Sequence, residues 1–87
     1  MDLRELRYFA MVCSERNFTK AANRLHISQP SLSVALQKLE NELGLNLLVR
    51  DNKHVVLTRE GAILQREAGA LLQQAERLEQ RMADLRA

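Results

Sequence analysis

Residues 17 to 44, NFTKAANRLHISQPSLSVALQKLENELG, contain two stripes of helical period separated by a break of only a few residues. No other stretch restricts the fold as much. Asn17 is a good N-cap, and Phe18, Ala21, Ala22 and Leu25 fall on one face, which predicts a short helix from Phe18 to about Leu25. His26 and Ile27 make the turn, with Ile27 plugging the core. Ser28 caps the next helix, and Pro30 sits in its first turn, where a missing N–H is no loss. Leu32, Leu36, Leu39 and Leu43 form a stripe with Ala35 beside it, and Gly44 is placed to end the helix.

The opposite face of that second helix carries the functional signal. A face that is merely solvated normally carries Glu and Lys. Here Gln29, Pro30, Ser31, Ser33, Val34 and Gln37 precede Lys38, the first charge. Two short helices with a tight turn and a charge-poor outer face on the second have the layout of a helix-turn-helix, whose second helix enters the DNA major groove. Small uncharged side chains let the backbone approach base edges. Gln29 and Gln37 offer paired donors and acceptors, Val34 can meet a thymine methyl, and Pro30 and Ser33 lie on the same surface. The helix N-terminus at Ser28 favours a phosphate, and Lys38 is a cation further along the same side.

Leu3, Leu6, Phe9, Ala10 and Cys13 recur at helical spacing and predict a preceding helix from Leu3 to Glu15. Cys13 lies on its apolar stripe and reads as a small buried hydrophobe. After Gly44, the apolar runs Leu47-Leu48-Val49-Arg50 and Val55-Val56-Leu57 flank a polar tetrapeptide and read as a two-stranded hairpin. Such a hairpin after a helix-turn-helix is a wing. Arg50 and Lys53 would stand at its edge or tip, suited to backbone or minor-groove contact. An ordinary solvated turn fits the loop taken alone.

Thr58 is placed to cap a last helix from Arg59 to the end. On it, Leu64, Ala68, Leu71, Ala75, Leu78, Met82 and Leu85 alternate spacings of four and three, a sustained heptad seam. A helix this long cannot bury the seam on so small a domain, which predicts a dimer interface; packing against a further domain of the same chain is the alternative. The seam is compatible with parallel and antiparallel pairing. The pattern continues through Leu85-Arg86-Ala87 without a cap, so the sequence reads as a fragment ending inside a linker helix.

Charge follows this division. Residues 1–58 hold eight Lys/Arg and six Asp/Glu, whereas residues 59–87 hold five of each, so the net +2 lies wholly in the first part. Aromatic residues are 3% of the chain, so the core must be built from aliphatic side chains. With one cysteine no internal disulfide can form, and no apolar run approaches the roughly 20 residues of a membrane span. The early charges Asp2, Arg4, Glu5 and Arg7 leave no signal-peptide core. No Gly-rich phosphate loop or metal-ligand spacing is present. His26 and His54 stand alone, Glu40 and Glu42 face different ways on their helix, and Ser28, Ser31 and Ser33 have no positioned base. The reading is therefore no enzyme, no catalytic residue, no metal and no cofactor.

Taken together the pieces closely resemble the DNA-binding domain of LysR-type transcriptional regulators. The resemblance rests on Leu3 to Phe9, Phe18-Thr19-Lys20-Ala21-Ala22 with Leu25, Ser28-Gln29-Pro30-Ser31-Leu32-Ser33, Leu39-Glu40 with Leu43-Gly44, Leu48-Val49-Arg50 and Leu57-Thr58-Arg59-Glu60-Gly61. It covers essentially the whole chain. It implies a mainly α fold: a winged helix-turn-helix of three helices plus a two-stranded β wing (residues 1–58), then a long linker helix (residues 59–87). The recognition helix would be 28–43 and the wing 50–55.

The implied partner is double-stranded DNA with an interrupted palindromic operator. It would be bound by a homodimer whose linker helices pair antiparallel, in a cytoplasmic, nucleoid-associated protein. Full-length members commonly form tetramers and sense a small-molecule effector through a C-terminal domain absent here. Gln29, Pro30 and Ser33 match family positions that approach bases; Thr19, Ser31 and Arg50 match positions that meet the backbone; Lys53 matches a basic wing position at the minor groove. Two departures stand out. Val34 occupies a place where the family often has Arg, which removes a bidentate guanine contact. Leu47-Leu48-Val49-Arg50 replaces the usual Leu-Phe-x-Arg, a change in packing. Two rivals remain at this point: a protein-interaction module using the leucine faces, and a winged-helix DNA binder of another family, which would lack the long seam.

Overall fold

The computed structural model describes residues 1–50 and 54–86. Its elements follow one another as α1 (Leu3–Glu15), α2 (Phe18–Leu25), α3 (Gln29–Leu43), β1 (Leu48–Arg50), β2 (Val55–Leu57) and α4 (Arg59–Leu85).

Each helix starts where a side chain satisfies the free N–H groups of its first turn. Asp2 accepts from the Glu5 N–H at 2.7 Å while the Glu5 carboxylate accepts from the Asp2 N–H at 3.1 Å, a reciprocal cap that accounts for a buried glutamate. Asn17 accepts from the Lys20 N–H, Ser28 from Ser31 and Thr58 from Gly61. Arg16, His26 and Gly44 end α1, α2 and α3 in the left-handed region, with φ of 53°, 59° and 69°. Only at Gly44 is that conformation free of a Cβ penalty.

The three short helices pack around Phe9, Val12, Phe18, Ala21, Ala22, Leu32, Leu36 and Leu39, all buried. The alanine pair lets α2 lie close to its neighbours, and Leu25 and Ile27 close the cluster from the side. Cys13 sits in the same layer, and burial pushes its thiol up to about 11. A raised thiol pKa leaves little thiolate below that pH. Alkylation at pH 8 is therefore expected to be on the order of a hundredfold slower in the folded domain than in denaturant. Equal rates in the two states, followed by mass spectrometry, would contradict this packing.

The antiparallel pair β1–β2 aligns Leu48 with Leu57, Val49 with Val56 and Arg50 with Val55. Two strands alone are marginal. These are pinned to α3, because one Glu40 carboxylate oxygen accepts from the Leu47 N–H at 2.7 Å and the Leu48 N–H at 3.3 Å. Leu47 and Val55 plug into the core, while Val49 and Val56 face solvent. Asp51, Asn52 and Lys53, including the basic wing position, lie outside the described residues.

The 27 residues of α4 span about 40 Å. Its first turns are part of the core. Gly61 is buried against the Leu47 backbone, Leu64 packs on the central cluster, and Ala68 is 0% exposed against the rest of its own chain. This corrects the expected seam at its beginning. Ala68 has no surface left to offer a partner and Leu64 has little, because the helix lies across α1 there. An exposed Arg7–Glu79 pair at 3.4 Å links the two helices further along; such pairs add little stability. Beyond Ala68, Leu71, Leu78, Met82 and Leu85 stand in solvent and Ala75 is half-buried.

Candidate nucleic-acid interface

The exposed face of α3 is organised in two parallel rows of residues four apart: Gln29, Ser33 and Gln37, and Pro30, Val34 and Lys38. Leu32, Leu36 and Leu39 face the opposite way, into the core, so burial of the leucine stripe fixes which side chains point outward. Val34 is 66% exposed. An apolar side chain held so far into water by a well-anchored helix suits contact with a partner surface. Lys38 is exposed and lies 3.8 Å from Glu42, the only charged contact it makes among the described residues.

At the start of α3, Ser28 Oγ accepts from the Ser31 N–H at 3.1 Å and donates to Ser31 Oγ at 2.8 Å. Both hydroxyls are thus committed to the cap, which leaves the Ser31 proton as the one free to reach outward. Thr19, the second residue of α2, donates its hydroxyl to the Gln29 side-chain oxygen at 3.2 Å. The turn Leu25 to Ser28 brings these two together, so the beginning of α2 supports the beginning of α3.

Arg50, exposed at the end of β1, is held there by two contacts. Its guanidinium carbon lies 3.8 Å above the centroid of the Phe18 ring, and Nη2 donates to Ser33 Oγ at 2.8 Å. One cation thereby ties β1 to the first residue of α2 and to the outer row of α3. A groove follows this line, walled by Phe18, Ser33, Gln37, Glu40, Leu48 and Arg50. On the other flank of α3 a second groove is walled by Arg4, Tyr8, Pro30, Val34 and Lys38, with the Arg4 guanidinium 5.8 Å from the Tyr8 ring centroid.

The structure thus brings Thr19, Ser28, Gln29, Pro30, Ser31, Ser33, Val34, Gln37, Lys38 and Arg50 onto one side of the molecule. Leu71, Ala75, Leu78, Met82 and Leu85 lie apart from them on α4. Sequence reasoning missed Phe18 as the platform under Arg50, Glu40 as the anchor of the wing and Arg4 as a cation beside the recognition face. Phe18 carried a signal only as core. Glu40 carried one only as part of the Leu39-Glu40 pair in the family resemblance. Among the described residues no group of three or more His, Cys, Asp or Glu side chains is placed to hold a metal ion, and no helix is long and apolar enough to cross a membrane.

Comparison with known proteins gives a consistent result. The HcaR activator of the hca operon in Escherichia coli K12 is 53% identical over 76 residues, which are 87% of this chain and 26% of that protein. The chain thus spans about a quarter of the length of the curated relatives it matches. A crystal structure of the BenM DNA-binding domain in complex with catB site 1 DNA superposes with a TM-score of 0.95 at 41% identity, over 100% of this chain and 98% of that one. The CbnR DNA-binding domain in complex with DNA gives 0.92 at 36% identity, with full coverage of both chains. Residues 3–62 match the bacterial regulatory helix-turn-helix protein model of the lysR family. With the match covering more than half of its length, and with the same four helices and wing, this chain belongs to the lysR family of bacterial helix-turn-helix transcriptional regulators.

Proposed function

We propose that this domain reads an interrupted, roughly palindromic site on double-stranded DNA, as a homodimer joined through α4. The observation that carries the reading is the outer face of α3: an exposed, charge-free stretch from Gln29 to Gln37 anchored by buried leucines. Gln29, Pro30, Ser33, Val34 and Gln37 are the base-facing set, and Ser31, Lys38 and Arg50 flank them on the phosphate side. In the parent protein a further domain supplies control by a small molecule and assembly into a tetramer, in the cytoplasm on the nucleoid. None of this requires a catalytic group; chain membership in a family of DNA-binding regulators makes the domain a binding module rather than an enzyme.

The reading is tested by selecting genomic DNA fragments with the purified domain at near-physiological salt and sequencing what is retained. Two short conserved half-sites at fixed separation are the expected result. Uniform retention of all fragments would leave only charge-driven binding and remove the sequence-reading assignment. Within the selected site, Gln29→Ala is expected to cost about 1–3 kcal/mol and to relax preference at one base pair. An equal loss on random DNA, measured by fluorescence anisotropy, would show that Gln29 does not read a base.

A further inference from the structure

We propose that Thr19 and Arg50 set the hydrogen-bond polarity of the reading face, so that Gln29 and Ser33 meet the DNA as donors. The face then selects, where the base edges differ, those that accept, guanine O6 or thymine O4, over those that donate, adenine N6 and cytosine N4; N7 accepts on both purines and does not discriminate. This rests on the interface reading above and refines it.

Two bonds carry the argument. Arg50 Nη2 donates to Ser33 Oγ at 2.8 Å. A guanidinium has five N–H donors and no acceptor, so the direction of that bond is fixed. A serine hydroxyl ordinarily donates or accepts as its partner requires. Here a cation takes one of its two lone pairs, which polarises the O–H into a stronger donor and makes the remaining lone pair a poorer acceptor. The guanidinium is held in place, since it also lies 3.8 Å above the buried Phe18 ring. The second bond runs from Thr19 Oγ1 to the Gln29 side-chain oxygen at 3.2 Å. Bidentate recognition of adenine by glutamine needs the carbonyl and the amino group side by side against the base. With the carbonyl turned to Thr19, the amino group is what faces outward. Gln29 and Ser33 are four residues apart on one helix face, so both heads address the same groove. Gln37, in the same row, has no side-chain hydrogen-bond partner among the described residues and keeps both functions. Thr19 and Arg50 act through Gln29 and Ser33 and are positioning residues.

The test is a sequencing-based selection on a double-stranded library that keeps the half-site spacing and randomises each half-site. Gln29→Ala and Ser33→Ala first identify the base pair that each residue faces, as the position whose preference flattens. Thr19→Val keeps the side-chain shape but removes the donor. It is expected to raise adenine relative to guanine about tenfold at the Gln29 position and nowhere else, and Thr19→Ser should restore the original preference. Arg50→Met covers Phe18 without donating, and is expected to admit cytosine at the Ser33 position by a similar factor while lowering overall affinity. Variants that lose affinity while every position keeps its preference would overturn the proposal, since Thr19 and Arg50 would then serve as backbone contacts only. Wild-type protein selecting no sequence at all would instead sink the interface reading, and this proposal with it.

Discussion

Replacing Leu71 and Leu78 together with glutamate is expected to lower affinity for a two-half-site operator by a factor between about a hundred and ten thousand, with binding to random DNA nearly unchanged. The range follows from linkage. When two recognition helices are joined, the second engages at an effective concentration in the millimolar range, and losing the link removes that factor. The two leucines are 49% and 57% exposed in the single chain, so a carboxylate there stays in water and the fold has no reason to fail. Their cost falls on a partner. Four leucines per dimer, each about half covered already, leave roughly 4 kcal/mol of burial to lose, near a thousandfold in dimer dissociation. Sedimentation should show a monomer with unchanged helical circular dichroism. A double variant that is monomeric yet binds the operator with full affinity would mean that the half-sites are read independently. One that remains dimeric would move the interface off this stripe.

Which part of that stripe serves a partner was hidden in the sequence for a physical reason. Leu64 through Leu85 keep one heptad pattern without interruption, so periodicity presents a single surface. The fold divides it: Leu64 and Ala68 complete the core against α1, and only the residues after them face solvent. A pattern of spacing states that a face is apolar and is silent about what covers it. The helices themselves were legible almost to the residue, because their limits are set locally. Asn17, Ser28 and Thr58 each satisfy an N–H three residues on, and Gly44 ends α3 through its own φ. The candidate site was legible as a list of side chains and not as an arrangement. Gln29, Ser33 and Arg50 could be picked out by position, but Arg50 reaches Phe18 and Ser33 only because Glu40 ties the wing down against α3. Those contacts join residues far apart in sequence, and no local rule announces them. Arg50 stands exposed at the end of β1, as its position in the sequence suggests; what the sequence does not announce is that its guanidinium lies over Phe18 and reaches Ser33.

Gly61→Ala is expected to be the most damaging single methyl group that can be added to this domain. A Cβ at position 61 would lie 2.0 Å from the Leu47 carbonyl oxygen and 3.0 Å from its carbon. Relief requires moving backbone rather than rotating a side chain. The Leu47 carbonyl accepts from the Thr58 N–H at 3.0 Å, the Leu47 N–H donates to Glu40, and the Leu47 side chain is buried. Thr58 in turn caps α4 and donates its hydroxyl to the Asn46 carbonyl at 2.6 Å. Displacing Leu47 therefore strains the wing anchor, the α4 cap and the core together. About 3 kcal/mol or more is the expected loss, a large share of the stability of a small domain. That corresponds to a fall in melting temperature of more than about 12 °C. Gly69→Ala, two turns further along the same helix, supplies the control. Nothing lies within 4 Å of a Cβ there, so alanine should only gain helix propensity, about 0.5–1 kcal/mol in the stabilising direction. Opposite signs at the two glycines, read by thermal circular dichroism, would show that close approach of α4 to the segment before the wing holds the recognition helix and wing in one rigid unit. A Gly61→Ala domain that melts with the wild type would mean that α4 can slide away from Leu47. The wing would then be free to move relative to the Gln29–Ser33 face, and Arg50 could not hold Ser33 in a fixed orientation toward the DNA.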